Sequence, residues 1–406
     1  MINSTISDPD AKMSELPPEL HFTLKVISRC NLNCSYCYVY HKADQSWKNQ
    51  PAVMSDEVFM ASIARIKRHC EASKQASVRI VLHGGEPLML GKKRFIQWCR
   101  FIQKALSPHV KVIMSLQTNG TLIDSEWAEI FAAFGIGVGI SIDGSQKWHD
   151  MYRVDHFGEG SYDNVCKGVT AVTNAEIRTA FLTVINFDSD PQREFEHLLS
   201  FNPDSIDFIF PDQNHTDIHH IRAKYGPTPC ADYLIPIFDM WLDGHHKLLD
   251  ISPFTAMLRA VLGNPANVDF IGNKPYRYMF IEADGTIEGL DVLKTCGENL
   301  SKTGLNIFDN DFMEVQQAGS LHKQSIFDGM PLPKACESCL EKDSCAGGYL
   351  PHRYNGSDFL SRSAWCADLY KLFSHIRFRL GLQNDDPEMK APPAYYKINE
   401  GVQPCV

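Results

Sequence analysis

From residue 21 onward, the chain alternates short apolar stretches with longer amphipathic ones. The amphipathic stretches carry apolar residues at helical spacing, and Ser55 suits the N-cap of the first of them. The predicted strands span 21–28, 78–85, 111–119, 137–144, 178–186 and 205–211. The predicted helices begin after Ser55 and span 92–106, 125–134, 162–173 and 191–200.

This alternation predicts an α/β fold. Strands separated by helices pair in parallel through right-handed crossovers. Residues 21–211 therefore fit a partial (β/α)6 barrel. In such folds the site lies at the carboxyl ends of the strands.

The rest of the chain is less regular. Residues 1–20 form a polar lead-in, and 212–277 form a bridging segment with two expected helices. A hairpin with an Asp-Gly turn over 278–289 opens a second domain, 278–381, which ends in a helix near 364–381. A Pro-rich tail, 382–406, follows.

Composition narrows the function classes. The chain has 406 residues, 44% hydrophobic and 22% charged, with a formal net charge of −10. It has no apolar run near the ~18 residues of a membrane span, no signal-peptide pattern and no long basic cluster. We therefore expect a cytoplasmic protein that binds neither nucleic acid nor membrane.

The grouping of the cysteines indicates metal binding. Of thirteen cysteines, three lie within 30–37 and four within 336–366. Grouped cysteines in a chain without an export signal favour metal binding over disulfides.

The first group, Cys30, Cys34 and Cys37, follows the first strand with C-x3-C-x2-C spacing. Three thiolates leave one position open. They could hold zinc with a distant ligand, or a [4Fe–4S] cluster with one iron free.

The second group could form a closed site of four thiolates. The spacing C-x2-C-x5-C-x20-C fits zinc and a fully ligated [4Fe–4S] cluster about equally. Its members are Cys336, Cys339, Cys345 and Cys366.

Polar or glycine-rich loops follow the next three strands. They are HGGEP with Gly84, Gly85 and Glu86, QTNG with Asn119, and SIDG with Ser141 and Asp143. Because parallel strands share an edge, these loops should converge on the first cysteine group.

The motif C-x3-C-x-aromatic-C after a first strand, followed by a GGE loop, resembles the radical S-adenosylmethionine (SAM) superfamily. The resemblance implies that the open iron binds SAM and that reductive cleavage yields a 5′-deoxyadenosyl radical. Cys30, Cys34 and Cys37 would then be both cluster ligands and catalytic residues.

The same resemblance implies roles for the other loop residues. Tyr36 would lie against the adenine, Gly84–Glu86 would bind the methionine amino group, and Ser141 would contact the cofactor, with Asp143 shaping its loop. Arg153, in HDMYR, would pair with the methionine carboxylate. Asn119 would contact the ribose or a backbone group.

The second cysteine group is similar to the SPASM extension of radical SAM peptide maturases. In the full pattern a cysteine stands where this chain has Tyr349, and a further pair is reduced to Cys296. This departure predicts one auxiliary [4Fe–4S] cluster instead of two. Cys296 is then a packed thiol or a relic.

The segments 30–55 and 345–366 resemble the cyclophane-forming SPASM maturases of ribosomal peptides. The resemblance implies a precursor peptide as substrate, a C–C crosslink between an aromatic ring and a β-carbon, and an external one-electron reductant such as flavodoxin or ferredoxin. Leader recognition would use 212–277, the tail or a separate protein. Candidates for the base, each more readily a structural residue, are His352, Asp291 and His215.

Three alternatives remain open. A formylglycine-generating sulfatase maturase carries the same extension, usually with more cysteines. A thioether-forming maturase is the second alternative. A non-catalytic Fe–S or zinc protein would explain the cysteines but not the three loops.

Overall fold

A computed structural model describes residues 16–266 and 268–382; the N-terminal lead-in up to residue 15, most of the predicted tail and Cys405 lie outside this range. All six predicted strands are present and pair in parallel in sequence order, which confirms the α/β fold. They are β1 (His21–Ile27), β2 (Ser77–Gly84), β3 (Lys111–Thr118), β4 (Gly137–Ser141), β5 (Thr179–Val184) and β6 (Ser205–Ile209).

Helices cover the outer face of this sheet. Ser55 caps the first helix, since its hydroxyl accepts a hydrogen bond from the Val58 N–H. Phe59 of that helix stacks on Trp98 of the second, with ring centroids 4.0 Å apart. The helices are α1 (Asp56–Ser73), α2 (Lys92–Leu106), α3 (Ser125–Phe134), α4 (Gln146–Tyr152), α5 (Tyr162–Asn174) and α6 (Pro191–Leu199).

The strands alternate between an apolar outer face and a more polar inner one. On β2, Ile80 and Leu82 are fully buried under the helices, whereas His83 faces inward beside Lys25 of β1. Gln117 of β3 and Asp207 of β6 also line the interior. The barrel interior is therefore polar, which suits a site better than a packed core.

The sheet continues beyond the six strands. Strand β7 (Asp250–Ile251) pairs with β6, and the predicted hairpin, β8 (Tyr278–Ile281) with β9 (Thr286–Glu288), joins the other edge. There β8 runs parallel to β1, and β10 (Lys302–Asn306) completes ten strands. The hairpin thus extends the barrel sheet.

The bridging segment differs from expectation. It holds three helices instead of two: α7 (His219–Tyr225), α8 (Pro229–Met240) and α9 (Ser252–Val261). The first has no buried residue, so it lacks the apolar stripe that would have revealed it. The short helix α10 (Ser320–Lys323) follows β10, and α11 (Cys366–Arg379) corresponds to the helix predicted near 364–381.

Helix α11 docks on the bridging segment through one buried carboxylate. Asp368 accepts hydrogen bonds from the N–H groups of Cys230 and Ala231 at the start of α8, and it pairs with Arg222 at 2.8 Å. Negative charge is favourable at a helix N-terminus. No helix in the parts of the chain that the structure describes is long and apolar enough to cross a bilayer.

A buried ion network connects β1 to the hairpin. The Lys25 ammonium lies 2.8 Å from Asp291 and 3.3 Å from Glu282, and Lys294 lies 2.7 Å from Glu288. All five side chains are almost fully buried. Such a network is costly to break, because removing one partner leaves an uncompensated charge in the interior.

We expect Lys25→Met to lower the free energy of unfolding by about 3–5 kcal/mol, because Asp291 and Glu282 lose their shared cation. Lys67→Met is the control, since Lys67 pairs with Glu71 on the surface at 3.9 Å and should change stability by less than about 1 kcal/mol. Urea unfolding measures both variants. Equal effects would contradict a central role for the network.

Candidate functional site

A cavity of about 370 Å³ opens at the carboxyl ends of the strands. Its volume falls within the usual range for ligand pockets. Of the residues predicted around the first cysteine group and SAM, Glu86 and Asp143 do not line it. The predicted residues that do line it are Cys30, Cys34, Cys37, Tyr36, Gly84, Gly85, Asn119, Ser141 and Arg153.

The first cysteine group lies in a loop held by its neighbours. The N–H groups of Asn33 and Ser35 donate to carbonyls at the end of α4 and just after it, and the His156 ring contacts the Cys30 carbonyl at 2.9 Å. The Cys30 sulfur accepts from the Leu32 N–H at 3.4 Å. The loop geometry is therefore set by backbone contacts, and its thiols are left to face the cavity.

The chemistry of these thiols fits a cluster. Burial raises the pKa of Cys30 to about 12 and also raises the pKa of Cys34 and Cys37, so metal is needed to hold them as thiolates. No described cysteine forms a disulfide. Among residues 16–266 and 268–382, no three Cys, His, Asp or Glu side chains converge on a single ion. A four-iron cluster does not require this, because each cysteine binds a different iron.

Glu86 is fully buried and holds the β3 loop. Its carboxylate accepts from the Leu88 and Asn119 N–H groups and from the Thr118 hydroxyl, at 2.8–2.9 Å. Burial raises its pKa to about 7 despite these bonds. The carboxylate is turned toward the β3 loop. Its expected contact with a methionine amino group stays a prediction.

The two glycines of the loop that carries Glu86 allow the backbone to pack closely against the end of β1 and the residues after it. A Cβ on Gly84, whose φ is +146°, would lie 2.1 Å from the Ile27 carbonyl oxygen. One on Gly85 would lie 2.3 Å from the Arg29 carbonyl oxygen. The β2 loop therefore lies directly against the loop that carries the cysteines.

Asp143, Arg153 and Tyr36 form one buried cluster. The Arg153 Nε donates to Asp143 at 2.8 Å, and the Tyr36 hydroxyl donates to the same carboxylate oxygen. The guanidinium lies 5.4 Å from the centroid of the Tyr36 ring. Arg153 is thus a buried ion-pair partner that also lines the cavity, and Asp143 orients both neighbours.

Asn119 and Ser141 complete this end of the cavity. The Asn119 amide donates to the Cys30 sulfur at 3.7 Å and to Asn31 at 2.9 Å. The Ser141 hydroxyl accepts from Gln117 at 3.3 Å. A hydrogen bond donated to a cysteine sulfur that binds a cluster tunes the reduction potential of that cluster. The contact with Cys30 therefore suits Asn119 to this role as well as to the predicted ribose contact.

The second cysteine group surrounds a small cavity of its own, which all four thiols line. Cys366 begins α11 directly after Trp365, whose fully buried ring donates through Nε1 to the Pro211 carbonyl at 3.2 Å. This anchors the most distant cysteine next to the end of β6. Burial raises the pKa of Cys366 to about 11, and that of Cys345 rises too.

Cys296 and Tyr349 occupy different places. Cys296 is a packed thiol in a small apolar cluster, with its sulfur 3.5 Å from the Pro351 carbonyl oxygen. Tyr349 lines the main cavity, with its ring centroid 5.1 Å from that of His352. The chain thus presents an aromatic side chain to the cavity where the full motif has a cysteine.

The three candidate bases differ in whether they reach the cavity and in whether they already have hydrogen-bond partners. His215 is bound to the Arg362 carbonyl at 2.7 Å and does not line the cavity. Asp291 is held by Lys25 and by the Tyr38 hydroxyl at 2.6 Å. Only His352 of the three lines the cavity, and its buried Nε2 has no partner among the described residues.

Sequence reasoning missed several cavity residues. Asp207 could have been noticed, because a carboxylate in a strand that is otherwise apolar is unusual. No local pattern marks Phe270 or Asp269, which the bridging segment brings in from far along the chain. The missed lining residues include Gln117, Asp207, Phe208, Asp212, Asp269, Phe270 and Val292.

Comparison with known families agrees with this geometry. Residues 24–201 match the radical SAM superfamily, a range that covers β1 to α6 and every loop with a predicted SAM contact. The chain carries a radical SAM domain. As a radical SAM enzyme it uses a [4Fe–4S] cluster and SAM, and the four cysteines beyond this domain suit an auxiliary cluster.

Two curated relatives match along most of their length. The serine-type anaerobic sulfatase-maturating enzyme of Bacteroides thetaiotaomicron is 25% identical over 375 residues, or 86% of each chain. The cysteine-type enzyme of Clostridium perfringens (strain 13 / Type A) is 26% identical over 376 residues, which cover 90% of this chain and 98% of that protein.

Solved structures share the fold. Native anSMEcpe with bound AdoMet and Cp18Cys peptide aligns with a TM-score of 0.77 at 23% identity, covering 89% of this chain and 98% of that one. Streptococcus suis SuiB bound to precursor peptide SuiA aligns with a TM-score of 0.57 at 16% identity, covering 86% and 76%.

We expect Arg153→Met to weaken SAM binding about tenfold or more, because charge-assisted hydrogen bonds contribute roughly 1.5–3 kcal/mol each. Titration calorimetry on the anaerobic, cluster-loaded enzyme measures the affinity. Arg193→Met is the control, since Arg193 is exposed on α6. Unchanged SAM affinity in Arg153→Met would contradict the assignment.

Metal analysis tests the cysteine assignments. We expect about eight irons per chain, as two four-iron clusters, and about four in Cys345→Ala. Cys296→Ala, which removes a packed thiol, should keep about eight. The prediction of one auxiliary cluster held by the four-cysteine group would be refuted by about twelve irons, by stoichiometric zinc, or by iron loss in Cys296→Ala.

Proposed function

We propose that this radical SAM enzyme modifies a ribosomal precursor peptide by joining an aromatic ring carbon to the β-carbon of a nearby residue. The observation that carries the proposal is the character of the cavity. Among the polar groups of its wall lies an aromatic part that includes Phe210, Phe270 and Tyr349. Such a wall suits an aromatic side chain through edge and face contacts.

The proposal assigns the cofactors to the two cysteine groups. Cys30, Cys34 and Cys37 hold the cluster that binds SAM, and Cys336, Cys339, Cys345 and Cys366 hold the auxiliary cluster. When bound, these groups supply a hydrogen-abstracting carbon radical and an acceptor for one electron. Arg153 and Tyr36 orient SAM, and the buried wall keeps water from the radical.

Forming one C–C bond removes two hydrogens from the peptide. One leaves as a hydrogen atom from the β-carbon. The ring carbon then loses one proton and one electron to regain aromaticity, so the chain must provide a proton acceptor. His352 suits this role by its position, because it lines the cavity and its Nε2 has no partner among the described residues, and burial lowers its pKa, which keeps the ring neutral.

A peptide substrate also draws support from the similar proteins. Two of the solved structures are described with a bound peptide, Cp18Cys in one and the precursor SuiA in the other. We further propose that a flavodoxin or ferredoxin supplies the priming electron.

Formylglycine formation in a sulfatase is the second candidate. Its support is the similarity to anaerobic sulfatase-maturating enzymes along 86% or more of both chains. Tyr349 and the packed Cys296 weigh against it, because neither supplies a cluster ligand. Beyond the first triad, the described part of the chain then has thiols for one further cluster.

The test is co-expression with short peptides encoded beside the gene, followed by mass spectrometry. We expect a product that lacks two hydrogens per aromatic motif, resists fragmentation between the joined residues and does not react with an aldehyde probe. Formylglycine made from serine also loses two hydrogens but reacts with that probe, so the two candidates separate.

Cys34→Ala is the matched inactive control. Wild-type enzyme that is loaded with cluster but releases no 5′-deoxyadenosine from SAM and dithionite would indicate a non-catalytic protein. An aldehyde product in a sulfatase peptide would replace the crosslinking proposal with the second candidate.

A further inference from the structure

Three partly buried carboxylates line the same cavity as the first cysteine group. Asp207 lies in β6, Asp212 follows that strand, and Asp269 belongs to the bridging segment just before β8. Strand β6 is the fifth neighbour from β1 in the sheet, whereas β8 pairs directly with β1, so Asp207 and Asp269 come from opposite parts of the sheet.

Asp207 has no cation of its own. Its carboxylate forms no hydrogen bond with the described residues, and the groups that act on it are Asp269 and Asp250, both negative. Burial and these charges raise the pKa of Asp207 to about 7. Asp269 receives one hydrogen bond, from the Tyr278 hydroxyl at 2.7 Å, and its pKa is raised by burial as well.

Three cations near the first cysteine group are committed elsewhere. Arg153 pairs with Asp143, and Lys25 pairs with Asp291 and Glu282. Lys42 lies 3.8 Å from Asp217 and donates to the backbone carbonyl of Asp212 at 3.2 Å. Within 16–266 and 268–382, therefore, none of these three cations neutralises Asp207 or Asp269 by direct contact.

A second observation also points to a missing ligand. His352 is 4% exposed and lines this cavity, and its Nε2 has no hydrogen-bond partner among the described residues. Tyr349 lines the same cavity, with its ring centroid 5.1 Å from that of His352. Buried polar groups in proteins are normally hydrogen-bonded, so the unpartnered nitrogen of His352 also indicates a missing occupant.

We propose that Asp207 and Asp269 bind the cationic side chain of a lysine or arginine in the peptide substrate. The inference rests on the proposed function, because it concerns a second residue of the same peptide. An ammonium or guanidinium group would convert two repelling buried carboxylates into an ion pair. Peptides with a neutral or acidic residue there would leave the carboxylates unpaired, which gives selectivity by exclusion.

The test uses the cluster-loaded enzyme with SAM under anaerobic conditions. The probe is a library of N-acetylated, C-amidated octapeptides that carry one tryptophan and random residues elsewhere. Peptides retained by the enzyme are sequenced by mass spectrometry. We expect lysine or arginine to be enriched about tenfold over leucine at one fixed distance from the tryptophan.

Asp207→Asn and Asp269→Asn should abolish this enrichment, whereas Asp309→Asn, which changes an exposed carboxylate far along the chain, should keep it. Both amide variants should also melt at the same or a higher temperature without peptide, since they remove repulsion. That measurement shows that they fold.

Equal retention of lysine and leucine peptides, enrichment that persists in both amide variants, or no retained peptide at all would overturn the inference. A loss of SAM affinity in the variants, with peptide selection unchanged, would also overturn it. Retention requires no turnover. Enzyme that selects cationic peptides but forms no crosslink would therefore refute the proposed reaction and not this inference.

Discussion

The buried cation of Lys25 is the contact on which the rest of the structure depends. It lies on β1, immediately before the cysteine loop, and its partners Asp291 and Glu282 lie on or next to the hairpin. Asp291 also accepts from Tyr38, the residue after Cys37. One network therefore fixes the cysteine loop, the barrel and the hairpin relative to each other, and its low dielectric surroundings make each charge dependent on the others.

That arrangement produces an unusually polar barrel interior. A packed core would fill the space between the strands with branched apolar side chains, but here His83, Gln117 and Asp207 face inward. The space is closed by residues from the bridging segment and the second cysteine region, among them Phe270 and Tyr349. The cavity thus combines a cofactor end defined by strand loops with a far end whose walls come from distant parts of the chain.

The far end is where the chain departs from the SPASM pattern that its second cysteine group resembles. A cysteine at position 349 would serve a second auxiliary cluster, whereas Tyr349 presents a ring and a hydroxyl to the cavity. Carboxylates without a cation and a histidine without a partner reduce stability in the empty state. Sites that bind charged or reacting groups commonly carry such a cost, because the ligand offsets it.

The sequence by itself determined the six-stranded α/β barrel, the two cysteine groups and the loops that meet at the first. It could do so because strand alternation, helix caps and closely spaced ligands are local patterns, and parallel strands bring their carboxyl ends together. Only the tertiary structure decided that Glu86 binds the loop after β3, that Arg153 is buried against Asp143, and that β8 continues the sheet beside β1. It alone brought Asp207 and Asp269 into one cavity, since contacts between residues so far apart in the chain depend on how the whole sheet closes.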